Sequence, residues 1–303
     1  MSPAIDTFAP VLGRSDNAAD LARAGRREQW GLFALVLPAA AFVVALMVIP
    51  LAWLFWQSVT DQAGALTLMN YVRIFTEEGT LATFQRTFVA SLAVTVICVV
   101  LGYPVAFLAA VSKPRTAAII MVLVLIPFWT SVLVRTYAWL VLLQRTGLVN
   151  QFLTWAGVVE SPLALVHNLT GSIIGMVHIM LPFVVLTLYS SLTQIPPDFG
   201  RAAASLGARP GRVFRTVILP LSLPGLVAGS VFVFVLSLGF YITPELLGGG
   251  RTVMVSMLVQ RNIDLYFQFG SASAVAFVLL AATLLILWLG DRVVPLGKIL
   301  ADR

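Results

Sequence analysis

The chain has 303 residues, 59% hydrophobic and only 11% charged, with a formal net charge of +6 and a mean hydropathy of +0.97. Soluble domains carry roughly 25% charged residues, so a single core in water is excluded and lipid is the natural solvent. The one cysteine, Cys98, lies in an apolar run, which excludes a disulfide framework and a cysteine-based metal site.

Residues 1–29 are mixed polar and basic and read as a flexible or surface-lying cytoplasmic tail. The apolar segment that follows is longer than the roughly 7–15 residues of a signal-peptide core, so a signal peptide is not expected. Six long intervals then lack any charged residue. Each holds the ~20 apolar residues that cross a hydrocarbon core as a helix. The expected spans lie near 31–56, 88–112, 116–141, 172–193, 222–243 and 271–290. Barrel strands would be short and would alternate polar with apolar, which these runs do not. The expectation is an all-α, polytopic membrane protein: a six-helix domain over 30–293, closed by a short tail at 294–303.

Along the first span, Trp30, Trp53 and Trp56 stand where interfacial anchors stand. Pro104 in the second, Pro127 in the third and Pro182 in the fourth are expected to kink their helices. Arg135, near the end of the third span, has two readings. It is an interior charge touching substrate or a partner helix, or it snorkels to the outer interface. Trp129, Tyr137 and Trp139 on that span either line a path for cations or form an interfacial belt. His167 and His178 have no metal-binding company and read as packed or interfacial.

Between the fourth and fifth spans, residues 194–220 interrupt the apolar pattern with "RAAASLGARPGRVFRTVILP" at 201–220. Pro196 and Pro197 end one helix or open the next, and an alanine-rich segment follows. Gly207 is placed to stop that segment in a left-handed turn. Pro210 opens a second short helix, which Pro220 closes. In it Val213 and Val217, and Phe214 and Ile218, form an apolar stripe, with Arg209, Arg212 and Arg215 beside it. Such a corner either docks a partner, with Phe214 filling a groove, or rests on anionic lipid.

In the fifth and sixth spans Gly225, Gly229, Ser237, Gly239 and Ser271 suit close helix approach. Pro244 breaks the fifth helix at its outer edge. Glu245 beyond it, beside Tyr241, either meets an ammonium group through charge and ring face or docks another protein. "LGGGRT" at 247–252 lacks the lysine of a phosphate loop and reads as a turn or gate.

An even number of crossings leaves both termini on one side. Thirteen of the 19 basic residues fall there, five (Arg73, Arg86, Arg145, Arg251, Arg261) fall opposite, and Arg135 lies near a helix end. The positive-inside rule places both termini and the 194–220 segment in the cytoplasm. The net charge is therefore explained by topology and calls for no nucleic acid.

The 194–220 segment resembles the EAA loop of ABC importer permeases, E-A-A-x-x-x-G followed by I-x-L-P. Ala202, Ala203, Gly207, Leu219 and Pro220 match, Phe214 fits the usual aromatic, and Arg201 stands where the motif has glutamate. "IPFWTSVLVRTYAWLVLLQRTGLVN" at 126–150 and "LGFYITPELLGGG" at 238–250 are similar to the spermidine/putrescine-type branch. The resemblance covers roughly residues 30–290. It implies a bacterial inner-membrane permease subunit paired with a second, similar one, two ATPase subunits and an extracytoplasmic solute-binding protein. It also implies that Arg201, Ala202, Ala203, Gly207, Arg209, Phe214, Leu219 and Pro220 touch the ATPase. ATP and Mg would be held by those partners, leaving this chain without catalytic residues, metal or cofactor. The branch points to polyamines, with an opine or another amino-acid derivative as the alternative solute. Two other classes are weighed against this. A membrane enzyme would need a buried aspartate pair or histidine cluster. An ion-coupled carrier would need acids within its spans.

Overall fold

Apolar helices with little polar interruption dominate the chain, and the computed structural model describes residues 16–61 and 63–293 of it. The helices are α1 (Asp16–Ser58), α2 (Met69–Thr76), α3 (Glu78–Val111), α4 (Pro114–Leu125), α5 (Val132–Leu142), α6 (Leu148–Trp155) and α7 (Leu169–Thr193). There follow α8 (Pro197–Ser205), α9 (Pro210–Val213), α10 (Leu219–Leu238), α11 (Ile242–Gly248), α12 (Val255–Asp264) and α13 (Phe269–Val293). A single antiparallel bridge, Thr60 to Leu66, is the only β pairing among the described residues. The described residues divide between Trp56 and Gln57, within the last turn of α1, into the rest of that helix and a helical body.

Among the described residues, five helical stretches are long and apolar enough to span a membrane: Val36–Ser58, Glu78–Val111, Leu169–Thr193, Pro210–Leu238 and Phe269–Arg292. The helix expected over 116–141 is broken. Pro114–Trp129 and Val132–Leu142 meet at 97°, and six spans result only if this bent pair counts as one. Pro127 supplies the reason, since its missing N–H and its ring disrupt the ladder of the preceding turn. Ile126–Trp129 tightens into a 3₁₀ turn, and Thr130 and Ser131 are extended. Pro104 and Pro182, by contrast, sit within unbroken α3 and α7. The α1 helix begins at Asp16, so part of the expected tail is helical. The rest of that tail and residues 294–303 lie outside the described residues.

The body is organised around α7. Met176, Met180, Val184, Leu188 and Leu192 recur every fourth residue on it, and all are buried. Ala90, Val94, Cys98 and Ala106 of α3 form the matching small-residue face. Between lipid-exposed helices the drive is packing rather than escape from water, so small residues that let backbones approach carry the association. On α10, a Cβ at Gly225 would overlap Ser191, and one at Gly229 would overlap Thr187. Of the glycines expected to allow close approach, Gly225 and Gly229 face α7, whereas a Cβ at Gly239 would meet nothing within 4 Å. Tyr103 of α3 and Ser222 of α10 share a 2.8 Å hydroxyl hydrogen bond.

A second cluster joins Ile74, Phe84, Val255, Ala274 and Val275 across α2, α3, α12 and α13. It is pinned by Val255 N–H donating to Thr87 Oγ1 at 2.9 Å and by Arg86 Nη1 donating to the Val253 carbonyl at 3.2 Å. The α11 helix lodges between α5 and α7. Thr243 shares a 3.0 Å hydroxyl bond with Thr136, and Gly175 leaves room for Thr243 and Leu247.

Candidate functional site

The polar segment between α7 and α10 folds as helix, corner, helix. Pro197 occupies the first turn of α8, where its missing N–H costs nothing. The helix ends in a Schellman turn: Gly207 N–H donates to the Ala204 carbonyl at 2.9 Å and Ala208 N–H to that of Ala203 at 3.1 Å. Gly207 holds φ +81°, and a Cβ there would meet nothing within 4 Å, so conformation alone selects glycine. Arg209 caps α9 through its carbonyl, which accepts from the N–H groups of Arg212 (2.8 Å) and Val213 (3.0 Å).

Pro220 does not close this second helix. Helical structure continues from Pro210 to Leu238, with one wide turn at Phe214–Ile218 in which Leu219 N–H reaches back to the Phe214 carbonyl. Proline in a helix removes one donor and crowds the carbonyl four residues before it. Widening the turn next to Pro220 absorbs that conflict without ending the helix. The corner is therefore joined to a membrane helix of 29 residues, about 43 Å long at 1.5 Å per residue.

Phe214 turns into its own chain. Its ring meets Tyr103 and Phe107 of α3 edge-on, each at 5.6 Å between centroids. The groove-filling role expected for this ring does not match where the ring goes: it seats the corner on α3. Beside it opens a cavity of about 540 Å³ lined by Gly200, Ala204, Pro210, Val213 and Ile218. Outward from the corner stand Leu206, 89% exposed, and Arg201, whose Nη1 lies 3.3 Å from Asp198 Oδ1. Ala202 is exposed and Ala203 half-buried, while Leu219 is half-buried and Pro220 exposed at the start of α10.

The residues singled out on the third span separate at the 97° break. Trp129, 83% exposed, lies on the break itself, and Tyr137 is exposed on α5. Trp139 is half-buried and its Nε1–H donates to His178 Nδ1 of α7 at 2.8 Å. That bond fixes His178 Nδ1 as an acceptor. Arg135 is half-buried, and its Nε is buried without a hydrogen-bond partner among the described residues.

A third region lies beyond the C-terminal end of α10, opposite the corner. Gly249 and Gly250 make the left-handed turn between α11 and α12, at φ +57° and +74°, and the His167 ring lies against Gly249. Tyr241 and Glu245, both half-buried, face Met257, Gln260, Arg261, Asp264 and Tyr266 across a cavity of about 350 Å³. Tyr241 and Glu245 were legible in the sequence as neighbours. Gln260, Asp264 and Tyr266 were missed, although the Gln260 to Asp264 spacing is a helical contact pair. Among the described residues no group of three His, Cys, Asp or Glu could hold a metal.

Comparison with known proteins places this architecture. Residues 102–296 match the family described as binding-protein-dependent transport system inner membrane component. The spermidine/putrescine transport system permease protein PotB of Salmonella typhimurium is 31% identical, covering 86% of this chain and 91% of that protein. PotB of Escherichia coli is 31% identical over 83% of this chain and 92% of its own length. Among solved structures, a bacterial ABC transporter involved in the import of the acidic polysaccharide alginate aligns with a TM-score of 0.66 at 18% identity. That match covers 91% of this chain and 99% of the other. The MetNI methionine ABC transporter, in inward-facing conformations, aligns at 0.53 and 19% identity, covering 75% and 96%. The chain belongs to the inner-membrane components of binding-protein-dependent transport systems, and is a multi-pass permease subunit of a bacterial ABC importer.

Proposed function

We propose that this permease subunit carries polyamines of the putrescine and spermidine type across the inner membrane. The observation that carries the reading is the 31% identity, over 86% of the chain, to permease proteins named for spermidine and putrescine transport. The cavity bearing Glu245 and Asp264 supports it, because it supplies the negative charge that a polycation needs and that the apolar spans lack.

In this reading the bent α4–α5 pair is one crossing, the chain crosses six times, and both termini are cytoplasmic. A second permease subunit completes the path, two ATPase subunits bind ATP and Mg, and an extracytoplasmic binding protein delivers solute. The corner at 197–213 is the element the ATPase moves. Its continuous helix to Leu238 turns a push at one end into displacement at the other, and the wide turn at Phe214–Ile218 is the joint. Arg261 in the same cavity favours the alternative of a zwitterionic, amino-acid-derived solute, whose carboxylate it would meet.

Reconstitution of the full importer in proteoliposomes tests this. Putrescine delivered by the cognate binding protein is expected to stimulate ATP hydrolysis and to accumulate in the lumen. Stimulation by an amino-acid derivative but not by putrescine or spermidine would replace the polyamine reading with the alternative.

A further inference from the structure

We infer that α2 and α6 are interfacial helices, each laying an apolar stripe into the lipid boundary at the end of the body away from the corner. The stripes are Leu68, Val72 and Phe75 on α2, and Leu148, Phe152 and Trp155 on α6. Their partner is a lipid surface, the outer leaflet in the topology proposed above, and the solute plays no part in it.

The spacing in each helix is the same. Positions i, i+4 and i+7 fall on one side of a helix, and both 68, 72, 75 and 148, 152, 155 follow it. All six side chains are exposed, from 48% at Val72 to 82% at Trp155. The opposite side of each helix is pinned by an asparagine. Asn70 Nδ2 donates to the carbonyls of Ser58 and Thr60, both at 3.1 Å. Buried Asn150 donates from Nδ2 to the carbonyls of Gln144 (2.9 Å) and Leu163 (3.0 Å). Its Oδ1 accepts from Leu163 N–H at 2.8 Å. The stripes are therefore held outward on fixed backbones.

Their level in the body identifies what covers them. The corner lies at the C-terminal end of α3, where Phe214 meets Tyr103 and Phe107. At the other end of α3, Ile74 of α2 packs with Phe84 and Phe88. These two rings bracket Arg86, after which residues 87–111 of α3 carry no charge and are long enough to cross a ~30 Å hydrocarbon core. The α2 helix thus sits at the far edge of that core. The α6 helix follows Arg145, where the charge-free run of α5 ends, and leads into the N-terminal end of α7, again away from the corner.

Residues 146–159 carry no charge, and neither stripe contains one. On α6 the Phe152 and Trp155 rings lie side by side, 5.9 Å between centroids. A tryptophan and two phenylalanines on uncharged stripes, at the level where hydrocarbon ends, fit the headgroup–acyl boundary. A soluble partner would leave this apolar surface bare in water each time it dissociated, which lipid does not. Seated there, the two helices hold this end of the body at fixed depth while the corner moves at the other.

The experiment uses the full importer in proteoliposomes, with cysteine-free partner subunits and Cys98→Ser in this chain. Phe75→Cys and Trp155→Cys, each carrying an environment-sensitive fluorophore, are read against lipid bearing a nitroxide near the top of its acyl chains. Quenching by about half is expected at both positions, without the binding protein. Arg73→Cys and Thr154→Cys, exposed but off the stripes, are expected to lose less than about a tenth of their emission. If either stripe variant does not assemble, Leu68→Cys replaces Phe75→Cys and Phe152→Cys replaces Trp155→Cys. Equal quenching on and off the stripes overturns the interfacial seating. Stripe positions that escape the nitroxide and change emission only when the binding protein is added overturn it in favour of protein docking.

Discussion

The indole Nε1–H of Trp139 donates a 2.8 Å hydrogen bond to Nδ1 of His178, with the two rings edge-to-face at 5.7 Å. This bond ties α5, the far arm of the broken span, to α7, the central helix of the body. Hydrogen bonds between membrane helices contribute about 1 kcal/mol. Trp139→Phe and His178→Ala are each expected to lower the unfolding midpoint of the detergent-solubilised subunit. Their double-mutant cycle should show a coupling of about 1 kcal/mol. A coupling of zero would mean that the contact does not hold α5 in place.

Gly207 sits at φ +81° with open space around it. Gly207→Val therefore costs backbone strain of about 1–3 kcal/mol without any steric clash, and that strain acts on the corner. The variant is expected to insert normally and to lose about tenfold of its solute-stimulated ATP hydrolysis, the factor that about 1.4 kcal/mol represents. Gly207→Asn should lose less, because asparagine tolerates the left-handed region. Equal hydrolysis by wild type and the valine variant would remove the corner from the coupling path.

Gly229 faces Thr187 at a distance that excludes any side chain. The Thr187 hydroxyl is held in place by donating to the carbonyls of Phe183 and Val184, at 3.1 and 3.0 Å. Gly229→Ala is expected to destabilise the α7–α10 contact by about 1–3 kcal/mol through overpacking. Thr187→Ala in the same chain should restore much of that loss. Thermal unfolding of the two variants, alone and combined, measures both effects.

Arg201 occupies the glutamate position of the EAA pattern, and its charge is answered by Asp198 one turn earlier. Both side chains are largely exposed, at 76% and 85%. The pair is therefore worth less than about 1 kcal/mol. Arg201→Glu is expected to leave stability nearly unchanged and to leave co-purification with the ATPase at the wild-type level. Loss of the ATPase from the purified complex would show that Arg201 makes a contact specific to this transporter.

Local features of the candidate sites were readable because their causes are local. The stop at Gly207 and the start at Pro210 follow from what glycine and proline permit in one or two dihedral angles. The contact face of Gly225 and Gly229 follows from helical spacing. Phe214 was readable as an anchor but not as an inward one, since its neighbours Tyr103 and Phe107 lie more than a hundred residues earlier.

The order of apolar runs was enough to determine that this chain lives in a membrane as helices, because the length and hydropathy of each run are set within that run. Only the tertiary structure decided that Pro127 breaks its span by 97° while Pro104 and Pro182 lie within continuous helices. It also decided that Pro220 is absorbed into a wide turn rather than ending a helix. Likewise, it decided that Glu245 of α11 and Asp264 of α12, 19 positions apart in the sequence, line one cavity. The physical reason is the same in each case. A proline or a carboxylate states what its own backbone or charge requires, but which neighbour satisfies that requirement depends on helices brought together by packing.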